Sequence, residues 1–174
     1  MNKGALRNFI PDYKFKYLTD INSDFFNGVG LIIFDVDNTL VFSEGPKGYP
    51  ETKKEVLDWF NRVNSRYKCI CLSNSRTIFK IEKQISELLN CNVFLSRHKK
   101  PFKKLFEEIK AKYSLGDGKV FVVGDRIFTD ILFGNINGAV TVLVKPLNNK
   151  ENILIKIIRK LENSILFLAN LIYT

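Results

Sequence analysis

Two aspartates, Asp35 and Asp37, stand one residue apart, directly after the apolar run 31–34 and just before Asn38 and Thr39. A carboxylate can attack phosphorus and form an aspartyl-phosphate that water later hydrolyses. A second carboxylate two residues on can protonate the leaving oxygen and then activate the water. A turn cap is the structural alternative, but the buried strand before the pair and the hydroxyl residue after it favour phosphoryl transfer. The pattern therefore predicts Asp35 as nucleophile and Asp37 as general acid and base.

Hydroxyl, amide and ammonium groups that could hold a phosphate occur in three places along the chain. Donors and cations aimed at phosphate oxygens stabilise the charge that develops there. Taken alone, a Ser-Asn pair after a strand is more often a turn, and spacing does not choose between Lys99 and Lys100. We predict that phosphate is bound by Thr39, Ser73, Asn74 and Lys100, with Lys99 as the alternative to Lys100.

Two more acids stand five residues apart in the heptapeptide GDRIFTD, which begins at Gly124. In proteins Mg²⁺ is usually bound by one or two carboxylates and keeps several waters. Acidic residues also occur at helix N-termini without any metal. We predict Asp125 as a Mg²⁺ ligand. Asp130 is predicted to support the site, either by orienting a metal-bound water or by pairing with Lys100.

Alternating strand and helix patterns are expected to position these clusters. Short apolar runs separated by helical patterns are typical of parallel strands covered by helices. The predicted strands are 30–35, 68–73, 92–95, 119–124 and 140–144. Helical patterns begin near residues 50, 75, 101 and 127. The chain therefore predicts an α/β fold, a Rossmann-like parallel sheet of about five strands with helices on both faces, formed by residues 1–174 as a single domain.

The carboxyl ends of the predicted strands carry the polar clusters. Asp35 ends the first strand, Ser73 ends the second and Asp125 follows the fourth. Right-handed crossovers bring the carboxyl ends of parallel strands to one edge of a sheet, where ligands bind. One folding assumption thus assembles residues that are distant in sequence.

The composition limits the partners and the setting. Lys and Arg number 27 against 18 Asp and Glu, and the net charge of +9 favours anionic partners such as phosphates, lipid surfaces or nucleic acid. Three cysteines and the lone His98 make no convincing zinc site and cannot all pair within the chain, which favours a reducing cytoplasm. Charged residues interrupt the N-terminal apolar residues, so no secretory signal is expected.

The C-terminal segment is rich in Ile and Leu but is interrupted by charges. Its longest nearly continuous apolar run, 165–172, is far short of the roughly 20 residues of a membrane span. One helical face would carry Ile153, Ile157, Leu161, Ile165 and Leu168. Packing of this face against the last strand is the favoured interpretation. Contact with an anionic membrane and packing of the first turns alone are the alternatives.

With these clusters in order, the sequences DVDNT, LSNS, KKP and GDRIFTD resemble the four motifs of the haloacid dehalogenase superfamily of Mg²⁺-dependent phosphatases. The resemblance implies an aspartyl-phosphate mechanism with the roles given above for the first two aspartates. It also implies that Mg²⁺ contacts the Asp35 carboxylate, the backbone carbonyl of Asp37 and the carboxylate of Asp125.

A narrower resemblance, from about residue 8 to residue 162, is to the YqeG branch, which is related to mitochondrial and plastid phosphatidylglycerophosphate phosphatases. Its pieces are FIPD from residue 9, the GDRIFTD form of the last motif, VKPL from residue 144, and Arg159 with Glu162. The branch commonly has Gln in place of Arg126 and often Trp in place of Phe42. The resemblance implies phosphatidylglycerophosphate, an anionic lipid, as the substrate, a place in phospholipid biosynthesis, and peripheral contact with the inner membrane surface.

Members of the superfamily usually select substrates with a cap inserted after the first or second motif. Only about thirty residues separate Thr39 from Ser73, fewer separate Ser73 from Lys100, and predicted elements use most of them. We therefore expect no cap domain and an open site suited to a bulky phosphate. The alternatives are a cytosolic phosphatase for a sugar, nucleotide or nucleic acid phosphate, and a non-catalytic module that binds phosphate or RNA. The aromatic residues lie mainly in apolar stripes, so no nucleic acid partner is expected.

Overall fold

A computed structural model describes residues 6–43, 50–115, 118–148 and 153–173 of the protein. The strands of its main sheet are β1 Tyr13–Lys14, β2 Val29–Asp35, β5 Cys69–Leu72, β6 Lys119–Gly124 and β7 Val140–Leu143. This sheet is parallel and has the strand order β1-β7-β6-β2-β5. A separate antiparallel pair joins β3 Phe42–Ser43 to β4 Pro50–Glu51. The predicted α/β architecture with a parallel sheet is confirmed.

Besides two short 3₁₀ helices before β2, five α-helices follow β4 in the described part of the chain. They are α1 Lys54–Asn64, α2 Ile78–Leu89, α3 Lys103–Tyr113, α4 Leu132–Ile136 and α5 Ile153–Tyr173. A π-helical turn, Ile127–Ile131, leads directly into α4. Each of the first three helices begins a few residues later than its sequence pattern predicted. For α1 the reason is that Pro50 and Glu51 pair with β3 before the helix starts.

Alternate residues of β2 divide the core into two layers. Ile32 and Phe34 pack into a cluster with Trp59 and Phe60 of α1 and with residues of α2. Leu31 and Ile33 point to the opposite face, where α3 and α4 cover them. Successive side chains of a strand alternate between faces, so an almost wholly apolar strand is buried on both sides. β2 thus lies inside the sheet, between β6 and β5, and the ends of these two strands flank its carboxyl end.

The fifth strand of the sheet is not the one that the sequence predicted. The segment 92–95 forms only a single bridge, between Val93 and Cys71. The fifth strand is instead β1, which pairs with the edge of β7. The pairing of β1 with β7 involves two residues and that of Val93 with Cys71 only one. Segments this short do not show the hydrophobic pattern by which a strand is recognised in a sequence. Asp12 reinforces β1 because its carboxylate accepts hydrogen bonds from the backbone N–H and the hydroxyl of Thr141, at 2.7 and 2.9 Å.

The described residues between the strands that flank the site contain no inserted domain. Between β2 and β5 they form the β3–β4 pair and α1, and between β5 and Lys100 they form α2. Residues 44–49 lie outside the described part. Residues 1–5, which the signal-peptide expectation includes, also lie outside it. No helix among the described residues is long and apolar enough to cross a membrane.

Helix α5 packs on the sheet through a different face from the one that the sequence favoured. Its buried residues are Glu162, Leu166 and Ala169. Leu166 contacts a small cluster with Ile127, Ile131 and Leu143. The face predicted to pack is turned outward, and four of its members are exposed: Ile153, Ile157, Leu161 and Leu168. That interpretation was wrong because it assumed that the most apolar face must be the buried one.

Two leucines on α5 test this orientation. Leu166 is 6% exposed and Leu168, two residues on, is 52% exposed. We expect Leu166→Ala to lower the free energy of unfolding by about 2–5 kcal/mol, because it leaves a cavity. We expect Leu168→Ala to change it by no more than about 0.5 kcal/mol. Urea unfolding of both variants measures the difference, and equal losses would contradict the orientation.

Candidate active site

The strand order places three polar strand ends side by side. Asp35, at the end of β2, is the register partner of Leu72 on β5, and Phe34 is the partner of Val123 on β6. Ser73 directly follows β5 and Asp125 directly follows β6. The three predicted clusters therefore meet at one edge of the sheet.

The ammonium group of Lys100 lies at the centre of this edge. Its Nζ donates hydrogen bonds to Oδ1 of Asp35 and Oδ1 of Asp130, both at 2.6 Å. A third contact reaches the carbonyl of Leu72 at 3.4 Å. The lysine side chain is almost completely buried. One cation thus joins the end of β2 to the π-helical turn after β6.

The amide side chain of Asn74 holds the backbone of Lys100. It accepts a hydrogen bond from the backbone N–H of Lys100 and donates one to its carbonyl, both at 2.8 Å. The neighbouring Lys99 is exposed and donates instead to the carbonyl of Asn74, at 2.7 Å. The structure therefore places Lys100 inside the cluster and Lys99 at its rim. Spacing alone had left that choice open.

The hydroxyl of Thr39 lies between two of the predicted metal ligands. It is 3.2 Å from Oδ2 of Asp35 and 3.5 Å from Oδ1 of Asp125. Thr39 is buried. It was predicted to bind phosphate, and the contacts it makes in the structure are to the carboxylates.

Asp37 is exposed beside the buried Asp35. Its carboxylate accepts a short hydrogen bond from the hydroxyl of Ser73, which in turn accepts one from the backbone N–H of Ser75 at 2.9 Å. The chain turns immediately after Asp37 because Asn38 adopts a left-handed conformation, with φ of 63°. The second aspartate therefore stands at the open side of the cluster, where a general acid must be.

Asp130 approaches the end of β6 so closely that only glycine fits opposite it. A Cβ atom on Gly124 would overlap the carboxylate of Asp130. That carboxylate also accepts a hydrogen bond from the backbone N–H of Arg126, at 3.0 Å. Of the two roles predicted for Asp130, the structure shows the pairing with Lys100.

Helix α5 contributes two residues whose roles the sequence reasoning missed. Arg159 donates to the backbone carbonyl of Asp125 at 2.8 Å and makes a short ion pair with its carboxylate. Glu162 accepts from Nε of Arg126 at 3.1 and 3.2 Å, and from the backbone N–H of Phe128 at 3.0 Å. The available signal was an oppositely charged pair three residues apart, a spacing that brings two side chains to the same side of a helix.

Burial dominates the electrostatics of the acids. It raises the pKa of Asp35 well above its usual value, although the positive charge of Lys100 opposes this effect. Burial also raises the pKa of Asp125 to about 6, against the opposing influence of Arg159. The pKa of Lys100 is raised, because its two carboxylate partners outweigh the cost of its burial. The lysine is therefore fully charged at neutral pH.

The carboxylates form a donor set that suits a hard divalent cation. One oxygen from each of Asp35, Asp125 and Asp130 lies within 4.8 Å of the others, and all three residues are buried. Mg²⁺ prefers such oxygen ligands. A bound cation would also offset the burial that disfavours the ionised acids. Asp35 and Asp125 therefore fit a site for a divalent metal ion, and Asp130, whose carboxylate pairs with Lys100, lies beside it.

An open cleft of about 310 Å³ gives access to the cluster. Its walls include Asp35, Asp37 and Asn74 from the strand ends, with Ile155 and Arg159 from α5. Helix α5 therefore forms one wall of the cleft.

Comparisons with known proteins place the chain among phosphatases. The sequence profile of the family described as mitochondrial PGP phosphatase matches residues 5–147. The probable phosphatase YqeG of Bacillus subtilis (strain 168) is 30% identical over 161 residues, covering 91% of this chain and 90% of that protein. Phosphatidylglycerophosphate phosphatase 1, chloroplastic/mitochondrial, of Arabidopsis thaliana is 28% identical over 142 residues, which cover 78% of this chain and 40% of that protein.

A solved structure shares the fold. The crystal structure of an uncharacterized protein from Listeria monocytogenes serotype 4b aligns with a TM-score of 0.56 at 16% identity. The alignment covers 72% of this chain and 85% of that one. At this identity the match supports the architecture alone.

The buried lysine leads to a stability prediction. Lys100→Met leaves two buried carboxylates without their cation, so we expect it to lower the free energy of unfolding by about 3–5 kcal/mol. Lys99→Met is the matched control at the exposed neighbour, with an expected change within about 0.5 kcal/mol. Urea unfolding in the presence of a chelator compares the two. Indistinguishable midpoints would contradict the central place given to Lys100.

Proposed function

The chain belongs to the mitochondrial PGP phosphatase family, and we propose that this phosphatase is a Mg²⁺-dependent hydrolase of phosphate monoesters that acts through an aspartyl-phosphate on Asp35. The observation that carries the proposal is the meeting of Asp35, Lys100 and Asp125 at one sheet edge, with Asp37 exposed beside them. The described residues form the core of a single phosphatase domain, which we extend to residues 1–174.

In the first step, a carboxylate oxygen of Asp35 attacks phosphorus and the bond from phosphorus to the ester oxygen breaks. Asp37 donates a proton to the departing oxygen, so that the product leaves as an alcohol. Lys100 lies 2.6 Å from the attacking carboxylate and supplies a fixed positive charge for the phosphoryl oxygens. Ser73 and Asn74 were predicted to bind phosphate, but in the structure the Ser73 hydroxyl donates to Asp37 and the Asn74 amide pairs with the Lys100 backbone, so we propose that both support the phosphate site through these groups.

In the second step, Asp37 takes a proton from water, and the water oxygen attacks the phosphorus of the aspartyl-phosphate. The bond between phosphorus and Asp35 breaks, which releases inorganic phosphate and restores the free carboxylate. Ser73 donates to Asp37 and so orients it in both steps. The same residue thus acts first as acid and then as base.

Mg²⁺ would be held by the carboxylates of Asp35 and Asp125 and by the carbonyl of Asp37, and when bound it would offset the negative charge of the phosphate. The Thr39 hydroxyl donates to Asp35 at 3.2 Å and lies 3.5 Å from Asp125, between the two carboxylates. Arg159 holds the other oxygen of Asp125. Asp130 positions Lys100.

The substrate that we propose is phosphatidylglycerophosphate, an anionic lipid. The family description and the printed name of the Arabidopsis relative support this choice. The open cleft accepts a phosphate attached to a large body, and the net charge of +9 favours an anionic surface. We accordingly place the protein in the cytoplasm, peripheral to the inner surface of the membrane.

Replacing the nucleophile tests the mechanism. We expect Asp35→Asn to reduce the hydrolysis of p-nitrophenyl phosphate and of phosphatidylglycerophosphate to the rate without enzyme, because an amide cannot form the acyl phosphate. Asp58→Asn, an exposed change of the same kind on α1, should retain full activity. Acid-quenched wild-type protein should carry phosphate on the peptide that contains Asp35. Full turnover by Asp35→Asn would refute the mechanism.

Metal removal tests the cofactor. Protein treated with EDTA should lose turnover and regain it with added Mg²⁺, whereas activity that survives exhaustive chelation would contradict the metal requirement.

A panel of phosphate monoesters tests the specificity. On this panel, kcat/KM for phosphatidylglycerophosphate in vesicles should exceed that for sugar phosphates and nucleotides. A preference for a soluble phosphate would replace the lipid with the rival substrate class and leave the chemistry intact.

A further inference from the structure

The outer face of α5 carries an apolar strip, interrupted at Ser164, that the fold leaves exposed. Apolar side chains that are more than half exposed recur along it at helical spacing, among them Leu154, Ile157, Leu161, Leu168, Leu171 and Ile172. The helix has 21 residues and is therefore about 30 Å long. Exposed apolar surfaces of this extent mark contacts with another protein or with a membrane.

Basic residues border this strip. Lys156 and Lys160 are exposed and lie one helical turn apart along its edge. A helix with an apolar strip edged by lysines is suited to the interface of an anionic bilayer. The chain as a whole carries +9, so an anionic surface attracts it, whereas a second copy of the same chain repels it. Charge complementarity therefore favours the membrane as the occupant.

The strip also lies close to the catalytic cleft. Ile155 and Arg159, on the packed side of the same helix, line the cleft that contains Asp35. A helix with its side chains is only about 10–12 Å across, and the headgroup layer of one leaflet is roughly 5–7 Å thick. A bilayer in contact with the strip would therefore hold its headgroups within about one helix diameter of the cleft.

We propose that the outer face of α5 docks the protein on an anionic bilayer and brings the cleft to phosphate monoesters carried by lipids of that bilayer. The delivery of the cleft to phosphate monoesters on lipids rests on the proposed function. The docking of α5 on the bilayer does not depend on that function. Helix α5 lies beyond residues 5–147, which the family profile matches. The docking surface is thus a feature of the C-terminal segment of this chain.

Vesicle flotation of the full chain tests the proposal. Wild-type protein should float with vesicles of phosphatidylglycerol and phosphatidylcholine and should not float with phosphatidylcholine alone. The triple variant Leu154→Gln, Leu161→Gln, Leu168→Gln should bind at least about tenfold more weakly. The matched control replaces three exposed apolar residues elsewhere, Tyr17→Gln, Phe79→Gln and Leu95→Gln, and should bind like the wild type.

The lysines are tested in the same way. Lys156→Gln with Lys160→Gln should weaken binding about fivefold for each charge removed. The control, Lys80→Gln with Lys83→Gln on α2, removes the same charge from another exposed surface and should have a smaller effect. Equal losses in the two double variants would show attraction by net charge alone and would overturn the role of the helix edge.

Two further measurements separate docking from folding and from catalysis. The triple variant should hydrolyse soluble p-nitrophenyl phosphate at the wild-type rate, and Asp35→Asn should float like the wild type even though it lacks turnover. Failure of wild-type protein to float, or a triple variant that floats normally, overturns the proposal. A stable wild-type dimer that the triple substitution converts to a monomer, without vesicle binding in either form, would assign the strip to a second copy instead.

Discussion

The buried ammonium group of Lys100 is the interaction on which the site depends. Removing a carboxylate from water costs several kcal/mol, and the edge of the sheet buries Asp35 and Asp130 with almost no exposed surface. Lys100 compensates both at 2.6 Å. Other features of the edge serve this contact: Asn74 holds the backbone of the lysine, and the missing side chain of Gly124 leaves room for Asp130.

The same charge balance explains why a helix from the end of the chain belongs to the site. Asp125 is also buried, and its compensating cation, Arg159, comes from α5. Glu162, on the same side of the helix, fixes Arg126 and the backbone at the start of the π-helical turn. In this protein α5 therefore borders the cleft and contributes to its electrostatics.

These requirements give α5 an unusual distribution of residues. Its inner side carries Arg159, which pairs with Asp125, and Glu162, which pairs with Arg126, so its most apolar side faces away from the sheet. A helix chosen only for packing would have the opposite arrangement. The outward apolar strip is thus compatible with the ion pairs of the inner side.

The sequence by itself determined the alternation of strands and helices, the aspartates at the ends of β2 and β6, and their meeting at one edge. Each of these follows from a local pattern, because buried strands are read from apolar runs and parallel strands align their carboxyl ends. Tertiary structure decided the rest. The choice between Lys99 and Lys100 depends on the hydrogen bonds of Asn74, which lies 26 residues away from Lys100. The side of α5 that packs depends on the buried charge of Asp125, which pairs with Arg159 of that helix. This contact joins residues 34 positions apart and cannot be predicted from the hydrophobic pattern of the helix.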